Sequence, residues 1–182
     1  MRKAFTMIEL IFVIVILGIL AAVALPKFLG VAQQAHEANL KNFTGTLNGT
    51  LGPSWWSKAM PSDGNVSTLN ITLNGTGDQK LATYTDVPKE LVSFDLSKCD
   101  DPNYYKVIAK FDKDKLGGDV NYYIACKDGT PSSAPKFILI KPTTTSDDVL
   151  ILGDANDSVI GSDNTVNFKH SGSDYNQTVV QQ

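Results

Sequence analysis

The sequence predicts an α+β protein in which one long N-terminal helix, apolar in its first half and amphipathic in its second, packs on an antiparallel β-sheet. Three observations carry that prediction. Leu10–Leu25 is an unbroken apolar run. Beyond it Phe28, Val31, Ala32 and Ala35, then Leu40, Phe43, Leu47 and Leu51, recur mostly three and four residues apart, the signature of a single apolar helix face. From residue 69 onward, short runs rich in β-branched and aromatic residues alternate with clusters of Gly, Asn, Asp, Ser and Thr, as strands alternate with turns. A chain of 182 residues has room for one anchor and one ectodomain of about 150 residues.

The first half of the helix is the most informative element. Arg2 and Lys3 precede the apolar run, and a single acid, Glu9, stands at its leading edge. A carboxylate at mid-membrane costs about 2.5–3.5 kcal/mol on insertion scales, and less near the interface, so Glu9 needs a reason. One reading is a cleavable secretory signal with Ala22-Val23-Ala24 as a small-x-small cut, which would free a soluble exported protein. Glu9 and the nearby Pro26 both fit that reading poorly. A second reading is a plain anchor: Phe5–Leu25 supplies 21 residues, enough to cross a hydrocarbon core of about 30 Å. Arg2 and Lys3 would then stay cytoplasmic and everything after Pro26 would lie outside, by the positive-inside rule.

A third reading rests on family likeness. Residues 1–28 resemble the N-terminal segment of type IV prepilins, with Arg2-Lys3-Ala4 as leader, Phe5-Thr6-Met7-Ile8-Glu9-Leu10 as the start of the mature chain, and Gly18 and Pro26 inside the helix. Type II secretion pseudopilins share this opening. Ala24-Leu-Pro-Lys-Phe-Leu29 and Trp56-Ser-Lys-Ala59 are further similar to mannose-sensitive hemagglutinin-type pilins. The resemblance implies that a prepilin peptidase cuts between Ala4 and Phe5 and that the new Phe5 amine is methylated; the family usually has glycine where this chain has Ala4. It implies a leader over residues 1–4, a transmembrane and polymerisation helix over 5–26, and a pilin-like domain over 27–182. It also implies partners: further copies of the chain in a helical filament, the peptidase, an inner-membrane assembly platform, and the lipid bilayer before assembly. The C-terminal domain would be periplasmic, and after assembly the subunit would sit in a surface pilus or a periplasmic pseudopilus.

Within that frame Glu9 has a role. In stacked helices its carboxylate would face the Phe5 amine of a neighbour, and opposite charges in an apolar medium define register more than they add stability. Gly18 and Pro26 are ordinary in membrane helices. They are also where a helix yields, by about 1 and about 3 kcal/mol relative to alanine, and the resemblance implies unwinding between them on assembly.

The amphipathic helix is expected over 27–52, where Gly49, Gly52 and Pro53 end or kink it and Trp55-Trp56-Ser-Lys58 forms a last turn. The two tryptophans either cap the core between helix and sheet or anchor a binding surface. The β-rich part spans 69–152, with strands expected at Leu69–Leu73, Tyr104–Phe111, Val120–Cys126, Lys136–Lys141 and Val149–Leu152. Gly117-Gly118 favours a hairpin between the second and third of these. The tail over 153–182 reads as a surface loop with short strands or as partly disordered.

Composition narrows the chemistry. The net charge is −3, and −5 once Arg2 and Lys3 are removed, so nucleic acid, which needs a basic patch, is not an expected partner. The two cysteines of an exported domain, Cys99 and Cys126, are expected to form a disulfide in an oxidising compartment. His36 and His170 are the only histidines and are far apart, which leaves both as solvated side chains. No nucleophile elbow, Walker loop or zincin signature occurs, so no enzyme activity and no cofactor are expected. Asp154, Asn156, Asp157 and Asp163 offer hard oxygen ligands for calcium, or serve as turn formers. Asn65, Asn156 and Asn176 head sequons with an acid two residues earlier, as some bacterial N-glycosylation systems require, or fall there by chance. The conclusion from sequence is a structural filament subunit serving adhesion, motility, DNA uptake or secretion. A minor pilin acting as a binding module, or the soluble exported protein, is the alternative.

Overall fold

The computed structural model describes residues 6–147, 149–156 and 160–180. Helix α1 (Met7–Thr46) starts at an N-cap, Thr6. It runs through Pro26 and on into an i→i+5 turn at Leu47–Leu51 and a second helix, α2 (Gly52–Ala59). Short 3₁₀ turns at Val66–Leu69, Gly77–Gln79 and Leu81–Thr83 lead to β1 (Leu91–Phe94). There follow β2 (Lys106–Phe111), the single turn α3 (Lys113–Leu116), β3 (Tyr122–Lys127), β4 (Lys136–Pro142), β5 (Ala155–Asn156), β6 (Thr165–His170) and β7 (Ser173–Val179).

The helix was expected to end or kink over residues 49–53 with a last turn over 55–58, and it does change pitch there before resuming as α2 to Ala59. The i→i+5 turn explains how. Phe43, Leu47, Leu51, Trp55 and Ala59, all buried, stand four residues apart, and in a regular helix of 3.6 residues per turn such a row drifts by about 40° at each step. The wider turn winds less per residue, offsets the drift and keeps the row on the sheet. Gly52 allows it: its N–H bonds the Leu47 carbonyl, and a Cβ there would stand 2.8 Å from that oxygen and 3.0 Å from the Phe137 ring. Asn48 pins the turn to β4, accepting from the Phe137 N–H at 2.9 Å and donating to the Phe137 carbonyl at 2.7 Å.

All strand pairings are antiparallel, in the order β1-β2-β3-β4-β7-β6-β5, and β5 also pairs with β2 at Lys106↔Ala155. The sheet from β2 to β5 therefore closes into a ring. Its outer face, with Ile108, Phe111, Ile124, Phe137 and Leu139, packs on the helix row; its inner face, with Val107, Tyr123, Ala125, Ile140, Val166 and Phe168, forms a second core. Burial on both faces is why Tyr122–Cys126 is apolar without alternation.

Three of the expected strands form, as β2, β3 and β4, and two do not. Over Leu69–Leu73 the chain makes a 3₁₀ turn closed by Asn70 in the left-handed region (φ 51°), so only Thr72 bridges, to Lys80 and Asp95. Over Val149–Leu152 the Asp154 carboxylate accepts from the Ile151 N–H at 2.8 Å and Gly153 takes φ 97°, which makes a turn of the segment. The tail is ordered by the β6–β7 hairpin, whose two-residue turn Ser171-Gly172 has φ 51° and 83°, the primed geometry that matches strand twist. Cys99 and Cys126 form a disulfide with Cα atoms 5.4 Å apart, inside the ordinary range.

Candidate functional site

The feature that the fold leaves unexplained is the first half of α1. Met7–Ala24 is long and apolar enough to cross a membrane, and the head buries none of it. Met7 is 76% exposed, Phe12 67% and Leu17 57%, and among the described residues burial on α1 begins at Leu40. So large an apolar surface needs a lipid or protein cover. A Cβ at Gly18 would meet nothing within 4 Å, so packing inside this chain does not demand glycine there. Pro26, which lacks an N–H and removes one helical hydrogen bond, lies within the helix as expected.

Glu9 occupies the first turn of α1. Thr6 donates to its Oε2 from the backbone N–H at 2.9 Å and from the hydroxyl at 2.7 Å, and the Glu9 N–H returns a bond to the Thr6 hydroxyl at 3.3 Å. This is a capping box, readable from Thr6-x-x-Glu9 by its spacing. The helix dipole adds favourable field at that end. Among the described residues only Oε2 is engaged, which leaves Oε1 open to a donor from another chain. Ala4 and Phe5 lie outside the described residues.

Where the helix meets the head, paired side chains replace the solvated ones expected. His36 Nδ1 lies 2.8 Å from Glu90 Oε1, because the chain entering β1 crosses the polar side of α1. Glu37 accepts from the Tyr122 hydroxyl at 2.7 Å and pairs with Lys41 at 3.2 Å and Lys141 at 3.8 Å. Burial alone would raise its carboxyl, but these partners outweigh burial and hold it below its ordinary value. Burial and the Glu37 charge push the Tyr122 phenol up. His170 likewise pairs with Asp154, at 3.1 Å.

The calcium candidates are engaged within the chain. Asp154 serves His170 and the Ile151 N–H, buried Asn156 accepts from the Tyr105 N–H at 2.6 Å, and Asp163 accepts from the Thr165 N–H and hydroxyl. Asp157 lies outside the described residues. Among the described residues no three His, Cys, Asp or Glu side chains are grouped to hold a metal. Of the three sequons, Asn65 caps its own 3₁₀ turn and Asn156 is buried, while Asn176 is exposed on β7. Trp55 is buried edge-on to Tyr84 and Phe137, and the Trp56 indole N–H donates to the Thr130 carbonyl at 2.8 Å, so both serve the core. Sequence reasoning missed Asp128, which is buried beneath the turn after β3. It accepts from the Val66 and Gly129 N–H groups, and burial pushes its carboxyl up to about 6.

Comparison with known proteins bears on the same N-terminal element. Residues 1–25 match the family model of the prokaryotic N-terminal methylation motif. The chain is 35% identical over 75 residues to a fimbrial protein, EcpC, of Eikenella corrodens, covering 41% of this chain and 49% of that protein. It is 55% identical over 38 residues to the type IV narrow pilus major component PilA5 of Thermus thermophilus, covering 21% of this chain and 33% of that one. The matches thus span half or less of these relatives, which by name are structural subunits rather than enzymes. No solved structure matches the chain. Motif, exposed apolar helix and relatives agree: the chain carries the prokaryotic N-terminal methylation motif over residues 1–25 and is similar, over part of its length, to type IV pilin subunits.

Proposed function

We propose that this chain is the subunit of a pilus, made as a membrane-anchored precursor and polymerised through the first half of α1. The observation that carries this reading is the bare apolar rod Met7–Ala24 joined without a break to a folded head. A bilayer covers such a rod before assembly and the equivalent rods of other copies cover it afterwards. On this reading residues 1–4 are removed by a prepilin peptidase, the Phe5 amine is methylated, and the head faces the periplasm until the subunit is extruded. Glu9 then has two successive environments. Its Thr6 cap keeps the carboxylate hydrogen-bonded while the subunit waits in the membrane, and Oε1 accepts the Phe5 amine of a neighbour in the filament, which sets the axial register. The pilus names of both relatives favour a pilus over a pseudopilus.

The test is to express Glu9→Ala and Glu9→Val beside the wild type and to compare membrane fractions with sheared filaments. Normal insertion with filament yield reduced at least about tenfold, as for loss of a charge-assisted bond, is the expected result. Wild-type filament yield from both variants would remove the role given to Glu9.

A further inference from the structure

The loop end of the β3–β4 hairpin has a feature that the packing of the head does not use. Lys127 and Lys136 stand directly opposite each other on antiparallel strands, an arrangement that like charges make unfavourable. Neither forms an ion pair among the described residues. Both line a cavity of about 280 Å³, just under the range of about 300–1,000 Å³ typical for drug-sized ligands and therefore suited to one small ring. Its other walls mix polar and apolar residues: Tyr105, Asp128, Thr130 and Ser133 with Pro102 and Ala134. Asp128 is only 5% exposed, and Oδ1 takes both of its hydrogen bonds, from Val66 and Gly129. Its Oδ2 has no donor among the described residues. A second hollow of about 290 Å³ shares Asp128 and Thr130, which extends the recess across the turn.

Two lysines without an ion pair among the described residues, and a hydrogen-bond-accepting carboxylate beside Thr130 and Ser133, call for a ligand that is an anion at one end and a hydroxyl donor at the other. A simple inorganic anion would satisfy the lysines but be repelled by Asp128. A simple cation would do the reverse. We propose that this recess binds a single acidic sugar residue, with its carboxylate between Lys127 and Lys136, its hydroxyls on Asp128, Thr130 and Ser133, and a ring face on Tyr105. The binding is a property of the head and is read on the unassembled chain, so it stands or falls separately from the filament reading.

The full-length chain in detergent is titrated with D-glucuronate, D-glucose and acetate at constant ionic strength while backbone amide resonances are followed. Glucuronate is expected to shift the Lys127, Gly129, Thr130 and Ser133 amides saturably, with glucose and acetate weaker by about tenfold or more. The double variant K127Q/K136Q and, separately, D128N should each weaken glucuronate by about tenfold, with resonances elsewhere unchanged to show that the head is folded. Absence of saturable shifts overturns the proposal, as does equal affinity for acetate, which marks a bare anion site, or equal affinity for glucose, which leaves the lysines without a role. Undiminished binding by the folded variants overturns it too.

Discussion

Single residues decide several features that a pattern of apolar and polar positions cannot express. Gly52 is one: the Leu47 carbonyl and Phe137 ring leave no room for a Cβ, so Gly52→Ala is expected to lower stability by about 1–3 kcal/mol as an overpacking change, seen as a shift in the denaturant midpoint. Asp128 is another. Its folded carboxyl is raised to about 6 from an ordinary 3.8, so the folded state holds the proton more tightly than the unfolded one, and stability falls as pH rises between those values. The penalty is fully present above pH 6. Asp128→Asn keeps the acceptor for Val66 and Gly129, so it is expected to stabilise the head by about 2–3 kcal/mol at pH 7 and by much less at pH 4, measured as the difference in denaturant midpoint between the two pH values. Asp128 was illegible in the sequence because Lys127-Asp128-Gly129 reads as an ordinary polar turn, and burial arises only when Val66 folds over it. Thr6 was legible, since its spacing to Glu9 is that of a capping box.

At the scale of elements, periodicity located the helix and the central strands, and failed where side chains bend the chain locally. Leu69–Leu73 and Val149–Leu152 each bury one apolar residue, Ile71 and Leu150, but Asn70 and Asp154 turn the backbone by bonds that alternation does not register. The reverse error affected the tail. Val166 and Phe168 alternate inward toward a Ser171-Gly172 turn, yet abundant Asn, Asp, Ser and Thr masked the hairpin. The disulfide links the segment before β2 to β3, 27 residues apart. Loop-closure entropy for that span is about 3–4 kcal/mol, so Cys99→Ala with Cys126→Ala is expected to lose roughly that much stability to denaturant, with the apolar helix still inserting in membranes. A double variant as stable as the wild type would show that the sheet alone constrains the two segments. Tyr122→Phe removes the hydroxyl that Glu37 accepts from and is expected to cost about 1.5–3 kcal/mol in denaturant unfolding, the range for a hydrogen bond to a charged group.

The whole molecule is a head that buries its own core and a rod that buries nothing of its own. The head closes two hydrophobic clusters on the two faces of one curled sheet, so it has no need of the first half of α1 for stability. On the proposed reading, that half exchanges one apolar surrounding for another, lipid for neighbouring helices, without unfolding the domain it carries. Its anatomy was the most legible part of the chain, because a charge, an acid, a glycine and a proline at fixed offsets around an apolar run are all local signals. The closure of the sheet through β5 and β2 was the least legible, since it depends on one pairing between residues far apart in sequence. On the proposed reading, assembly depends above all on the rod remaining attached to the head. Intact-mass measurement of the subunit purified from sheared filaments tests this most directly: a chain beginning at Phe5 and carrying one added methyl is predicted, whereas a chain beginning at Leu25, released from its apolar segment, would contradict it.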